Sequence, residues 1–342
     1  MGCGIPDPLF ASPADERMSG QVGAPWPATL TASEYLLVLY VIVVAGFALL
    51  AGLVRSWTTR GEVGSRYRSA TVAHLTVAAV ATLSYVAVLI AFRTGYRATG
   101  AGYAPHSTAI LVLAVRYLDW SVTVPLLAVE LLSVCALPAA AARRAVRLAT
   151  AGSFLMIFTG FLGAFVFGGT PDPARMMLWG ALSSLFWIAT TVVLIRAVRG
   201  SLPRLAPESA VLLRNATILL LSGWAVYPMV YLIQAFTGGG GWATAIQVIL
   251  CIADVTIKIG LGGLAHRVAK LRTAEAVRAG VEVHPESIWI SSVKLSEAGA
   301  APAVFLAGDA NGQVRRARPP SASAVASHPE NVPESEFSDE VG

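Results

Sequence analysis

Apolar residues gather along the chain in seven long blocks, at about 34–56, 67–93, 107–135, 147–169, 175–199, 210–237 and 241–267. Each approaches the roughly 20 residues that an α-helix needs to cross a bilayer. Short connections marked by Gly, Pro or Arg separate them, as in an up-down bundle. The pattern predicts an all-α membrane protein, a seven-transmembrane helix bundle occupying 34–270. An N-terminal segment, 1–33, precedes it and contains no apolar core of signal-peptide type. A tail, 271–342, follows. Within it SIWISSVKL forms a short strand or lies along the membrane surface, and from about 299 Ala, Pro, Ser and Glu dominate, as in disordered segments.

Arginine sets the orientation. The first, third and fifth connections hold Arg55, Arg60, Arg66 and Arg68, then Arg143, Arg144 and Arg147, then Arg196, Arg199, Arg204 and Arg214. The second has Arg93 and Arg97, the fourth only Arg175, and the sixth, FTGGGGW, none. The positive-inside bias assigns the odd connections and the C-terminal tail to the cytoplasm and the N-terminus to the exterior.

Composition agrees with a membrane setting. Of 342 residues 55% are hydrophobic and 13% charged, whereas a soluble domain carries roughly a quarter charged residues. The expected partner is the lipid bilayer and the expected location the cell membrane. The net charge of +5 arises from loop arginines, so nucleic acid is not required to explain it. Cys3, Cys135 and Cys251 have no metal-ligand spacing, and no metal is expected.

Charges inside the apolar blocks are the informative exceptions. A charged amine at the centre of a bilayer costs about 3 kcal/mol, so an intramembrane Lys marks a functional site. Lys258 is such a residue, one helical turn after Asp254 in CIADVTIKIGLGGL. The only other lysines are Lys270 and Lys294, both beyond this block. A lysine kept where Arg meets every other basic need suggests amine chemistry, such as a Schiff base. In RYLDWSVTVPLLAVELL, Arg116, Asp119 and Thr123 share one helix face. Glu130 lies three turns further, roughly 16 Å along the axis. Proton-binding groups are thus strung across the bilayer. His74 stands toward the end of the second helix where Glu130 is expected, and reads equally as a sharer of the Glu130 proton or as a satisfied helix histidine. Pro125 and Pro228 read as ordinary membrane-helix kinks. Trp120, Trp224, Tyr227 and Tyr231 near mid-depth favour a pocket for a flat apolar ligand around the Lys258 tip.

These motifs resemble the microbial rhodopsins, over about residues 34–270. The pattern Asp-x-x-x-Lys is Asp254 to Lys258; Arg-Tyr-x-Asp-Trp-x-x-Thr-x-Pro-Leu-Leu runs from Arg116 to Leu127; Trp-x-x-Tyr-Pro is Trp224, Tyr227 and Pro228. GSFLMIFTGFLGA resembles the pocket segment of the fourth helix, with Met156 and Gly160. The resemblance implies all-trans retinal on Lys258 as a protonated Schiff base, Asp119 as primary counterion and proton acceptor, and Asp254 as second counterion. It implies Glu130 as cytoplasmic proton donor, and Trp120, Leu127, Met156, Gly160, Trp224, Tyr227 and Pro228 around the polyene, with Tyr85 supporting the counterions. Asp119, Thr123 and Glu130 match the Asp-Thr-Glu signature of proteorhodopsin- and xanthorhodopsin-like outward proton pumps. The protein is therefore expected to be a light-driven transporter rather than an enzyme, assembling as a trimer or pentamer.

Two departures matter, and two further features bear on colour and antenna. Met229 to Ala253 contains no carboxylate, so the extracellular Glu pair of bacteriorhodopsin is absent and proton release is expected to be late. Ala81 stands where proteorhodopsins carry a His beside the counterion. Trp179-Gly180 with Ser183 resembles the xanthorhodopsin group, in which Gly opens a window for a carotenoid antenna; a shift of one residue puts Trp179 there and closes it. Leu127 rather than Gln suggests green absorption. A retinal photosensor signalling through a partner is the alternative reading, with Glu130 arguing against it.

Overall fold

The computed structural model describes residues 28–167, 173–234 and 238–279, together with 288–290 and 293–295. Seven helices cross the apolar blocks: α1 Ala32–Thr58, α2 Arg68–Gly95, α3 Leu111–Ser133, α4 Ala139–Phe161, α5 Pro173–Ser201, α6 Pro207–Gln234 and α7 Gly240–Arg278. All seven have the length and hydropathy of membrane spans. Helices adjacent in sequence pack together, and α1 against α7 closes the ring. The polar site lies on the inner faces of α2, α3 and α7, which meet in the middle. α5 is the least buried span and α3 the most.

Hydropathy locates membrane depth better than helix ends. α4 starts at Ala139 rather than near 147, because Arg143, Arg144 and Arg147 are good helix formers that extend the helix past the apolar block. α7 runs on through the Ala-, Arg- and Lys-rich stretch to Arg278 for the same reason. α1 begins with a capping box in which the Glu34 amide donates to Thr31 Oγ1 (3.3 Å) and the Thr31 amide to Glu34 Oε2 (2.8 Å). α4 ends in a π-helical turn, Leu162–Val166, that turns Phe165 edge-on to Tyr117.

The connection between α2 and α3 is a hairpin, β1 Tyr96–Thr99 with β2 Gly102–Pro105, which the apolar pattern does not predict. Leu30 bridges to Tyr103 through two backbone hydrogen bonds of 2.8 and 2.9 Å, and Tyr35 stacks on Tyr103 at 3.8 Å. Gly102 has φ +137°, and a Cβ there would strike the Leu30 carbonyl.

Most of the N-terminal segment, 1–27, and most of the tail, from 280, lie outside the described residues. In a separate unit, His284–Gly342, β3 Ile288–Ile290 pairs antiparallel with β4 Val293–Leu295.

Candidate functional site

α3 and α7 bring four buried charges together. Arg116, Asp119, Asp254 and Lys258 are each no more than 3% exposed. Lys258 Nζ pairs with Asp119 Oδ2 and lies 3.5 Å from Asp254 Oδ1. Two cations thus face two carboxylates, a balance that low-dielectric surroundings demand. The α-helical period brings Asp254 and Lys258 onto one face of α7, and Asp119 onto the facing side of α3.

The two carboxylates differ in company. Asp254 Oδ2 accepts from the Tyr85 hydroxyl (2.9 Å) and Arg116 Nη1 (3.2 Å). Its Oδ1 accepts from the Tyr227 hydroxyl (2.8 Å) and Trp120 Nε1 (3.2 Å). Asp119 has Lys258 on Oδ2, while its Oδ1 is buried with no hydrogen-bond partner among the described residues. The Thr123 hydroxyl donates to the Asp119 backbone carbonyl at 2.9 Å, not to the carboxylate. Thr123 therefore secures the helix turn beneath Asp119.

Arg116 completes the cluster away from Lys258. Its Nη1 also donates to the Tyr85 hydroxyl (3.2 Å), and its Nη2 to Gln247 Oε1 (3.2 Å) and Cys251 Sγ (3.3 Å). Gln247 and Cys251 escape a search for charged residues. Their spacing gives the available signal, because they lie seven and three residues before Asp254, on the same helix face.

Trp120 and Tyr227, both donating to Asp254 Oδ1, bring aromatic rings beside the charges. Trp120 packs edge-on to Tyr227 at 5.0 Å. Trp224 and Leu127 are buried, Met156 packs against the same core, and Pro228 lies inside α6 next to Tyr227. Gly160 leaves space that Tyr117 and Ser183 border, and the Ser183 hydroxyl ties α5 to the Met156 carbonyl at 2.8 Å. Gly180 is elsewhere: a Cβ there would come 2.7 Å from the Tyr231 ring, which covers the position. Neighbouring Trp179 stacks on Phe167.

Glu130 stands apart from the four charges, 1% exposed, with His74 Nδ1 3.3 Å from its Oε1. The two are close without the alignment of a full hydrogen bond, and Glu130 Oε2 has no partner among the described residues. A third group lies at the end of α7. Glu62, in the short 3-10 turn Arg60–Glu62, accepts from Lys270 Nζ (2.9 Å) and faces His266 Nε2 (3.2 Å). Burial pushes the Glu62 carboxyl up, but the hydrogen bonds from Lys270 and His266 outweigh it and hold it below its ordinary value.

Comparisons with known proteins identify the family and the fold. The family profile described as "Bacteriorhodopsin-like protein" matches residues 32–271. Archaerhodopsin-1 of Halorubrum ezzemoulense is 28% identical over 211 residues, covering 61% of this chain and 74% of that protein. A green-light absorbing proteorhodopsin from a gamma-proteobacterium is 26% identical over 250 residues, covering 72% and 91%. Among solved structures, xanthorhodopsin, described as a light-driven ion pump with dual chromophore, superposes with TM-score 0.66 at 29% identity over 73% of this chain and 98% of that one. A thermophilic rhodopsin gives 0.66 at 28%, over 72% and 98%. With seven membrane-spanning helices closing around a buried lysine, the chain belongs to the bacteriorhodopsin-like family of retinal-binding microbial rhodopsins and is a multi-pass integral protein of the cell membrane.

Proposed function

We propose that the protein is a light-driven outward proton pump carrying all-trans retinal on Lys258. The residues present fit that group. Lys258 offers a buried amine between two carboxylates, and Trp120, Tyr227 and Trp224 supply flat apolar walls. The Trp224 Nε1 is a buried donor without a partner among the described residues, the kind of atom that a bound group or water satisfies. When bound, retinal supplies a cationic imine at Nζ whose orientation light can change.

The chain's residues then determine where the proton goes. Asp254 already accepts four hydrogen bonds from Tyr85, Arg116, Tyr227 and Trp120, so its negative charge is fully supported. Asp119 retains an unpartnered Oδ1 beside Nζ, and this contrast is the observation that carries the reading: Asp119 takes the proton that leaves Nζ, while Asp254 remains the fixed counterion. Glu130, buried where an isolated charge is expensive, holds a proton at rest and returns it to Nζ from the other side. Direction follows from acceptor and donor lying on opposite sides of one nitrogen. Gln247 stands against Arg116 on the acceptor's side and offers no ionisable release group, in keeping with late proton release.

The arginine distribution supports an exterior N-terminal segment 1–33 and a cytoplasmic tail from 271. The acceptor then faces outward. The relatives' printed names, a light-driven ion pump and a green-light absorbing proteorhodopsin, support the same class. Illuminating retinal-loaded cells in unbuffered medium tests it. Acidification is expected, abolished by a protonophore and by Asp119→Asn; a coloured protein that cycles slowly with no pH change would be a photosensor instead.

A further inference from the structure

Glu130 is not sealed off. A small cavity of about 20 Å³, room for about one water molecule, lies between the end of α1, the start of α2 and the His266 region of α7, and is lined by His74, Glu130 and His266. Its walls carry Ser56, Thr59 and Thr71, hydroxyls that can hold bridging water in a space roomy enough for it. The charged groups facing it are Arg55 from α1, His74 from α2, Glu130 from α3 and His266 from α7. Glu62 and Lys270 are bound to one another beside His266. His74 fits at the inner end for one reason: a Cβ on residue 262 would collide with its imidazole ring, so only Gly262 admits it against α7.

We propose that this cavity is a proton-uptake vestibule, with Glu62 and His266 as its collecting pair, His74 as the relay to Glu130, and Gly262 as the positioning residue for His74. The proposal deepens the pump reading and rests on it for direction. After Glu130 has given its proton to Nζ, the proton on His74 Nδ1 crosses the 3.3 Å to Glu130 Oε1. The Nδ1–H bond breaks, the O–H bond forms, and the imidazole is left neutral. It regains a proton from His266 through water in the cavity, and His266 is recharged from bulk solvent beside the Glu62 carboxylate. That carboxylate faces the His266 ring at 3.2 Å and stabilises the imidazolium, and Lys270 holds it in place without occupying the path. A histidine is suited to such a relay because its ordinary pKa lies near physiological pH.

Dark hydrogen–deuterium exchange at the Glu130 carboxyl tests proton access without relying on pumping. Its infrared C=O stretch is followed after transfer into deuterated buffer. In Glu62→Gln/His266→Gln, exchange is expected to slow several-fold, and after a flash the recovery of the Glu130 C=O band should slow in parallel, with the transfer to Asp119 and the transfer from Glu130 to Nζ unchanged. A diffusible weak acid such as azide should restore the rate. Gly262→Ala, by displacing His74, is expected to shift the Glu130 C=O band itself. Unchanged exchange in the double variant overturns the vestibule, as does slowing that azide does not relieve. A wild-type protein that exchanges through Glu62 and His266 but moves no protons in light refutes the pump reading and leaves the vestibule standing.

Discussion

The two ends of the site are built on opposite principles. At the Arg116 end Asp254 is held by four donors, and Arg116 reaches Tyr85, Gln247, Cys251 and Asp254 at once, leaving its Nε without a partner among the described residues. At the Glu130 end the carboxyl has one loosely aligned neighbour, an unpartnered oxygen and an adjoining cavity. Saturated networks hold a fixed electrostatic arrangement in low dielectric, whereas a group that must be refilled from solvent needs open valence and a path. The contrast separates a counterion from a donor even though both are buried carboxylic acids.

Removing the junction between the ends has the largest effect. Lys258→Ala is expected to abolish visible colour on adding retinal, read directly by absorption; retained colour would detach the site from the chromophore altogether. Next comes the difference in stability. Asp254→Asn leaves Arg116 and Lys258 under-compensated and should destabilise the dark protein by about 3–5 kcal/mol. Glu130→Gln, which leaves no unpaired charge, should cost only about 1 kcal/mol, the usual value for a single substitution. Equal thermal bleaching midpoints for the two variants would erase the comparison.

A smaller effect concerns Glu62. Its carboxyl is held below the ordinary value of 4.5 by Lys270 and His266, so its contribution to folding is fully present above that value and fades as pH falls through the lowered one. The midpoint gap between wild type and Glu62→Gln should accordingly be widest at neutral pH and close in acid; a gap that widens on acidification contradicts the assignment. Least is expected at Gly180. The Tyr231 ring covers it, so carotenoid-sensitised excitation of the retinal band should rise in Tyr231→Ala relative to wild type. Identical excitation spectra would remove Gly180 as a window.

The sequence spoke clearly where a charge had no business being. Lys258, Asp254, Asp119, Arg116 and Glu130 stand out against apolar blocks, and helical spacing pairs Arg116 with Asp119 on one helix and Asp254 with Lys258 on another, while only the fold brings the two pairs together. Neutral partners were silent for the same reason: Gln247, Cys251 and the Trp120 Nε1 donor carry no charge, so only tertiary packing reveals what they touch. The β1–β2 hairpin was hidden because a short two-stranded ribbon held by Leu30 has no long alternating pattern. The Glu62, His266 and Lys270 cluster joins residues about 200 positions apart in sequence and sits where charge is unremarkable, at a helix end. Helix limits failed at α4 and α7, where basic amphipathic turns continue past the lipid.

Nearly everything the site uses from Gln247 to Lys270 is a stripe on α7, recurring every three or four residues: 247, 251, 254, 258, 262, 266 and 270. The helix is continuous over Gly240–Arg278, roughly 58 Å of rigid rod at 1.5 Å per residue. A tilt of this one lever would shift the amine, its fixed counterion, the floor beneath His74 and the collecting group at the far tip together. Mechanical gearing between the lit centre and the solvent door would then need no messenger beyond the helix itself.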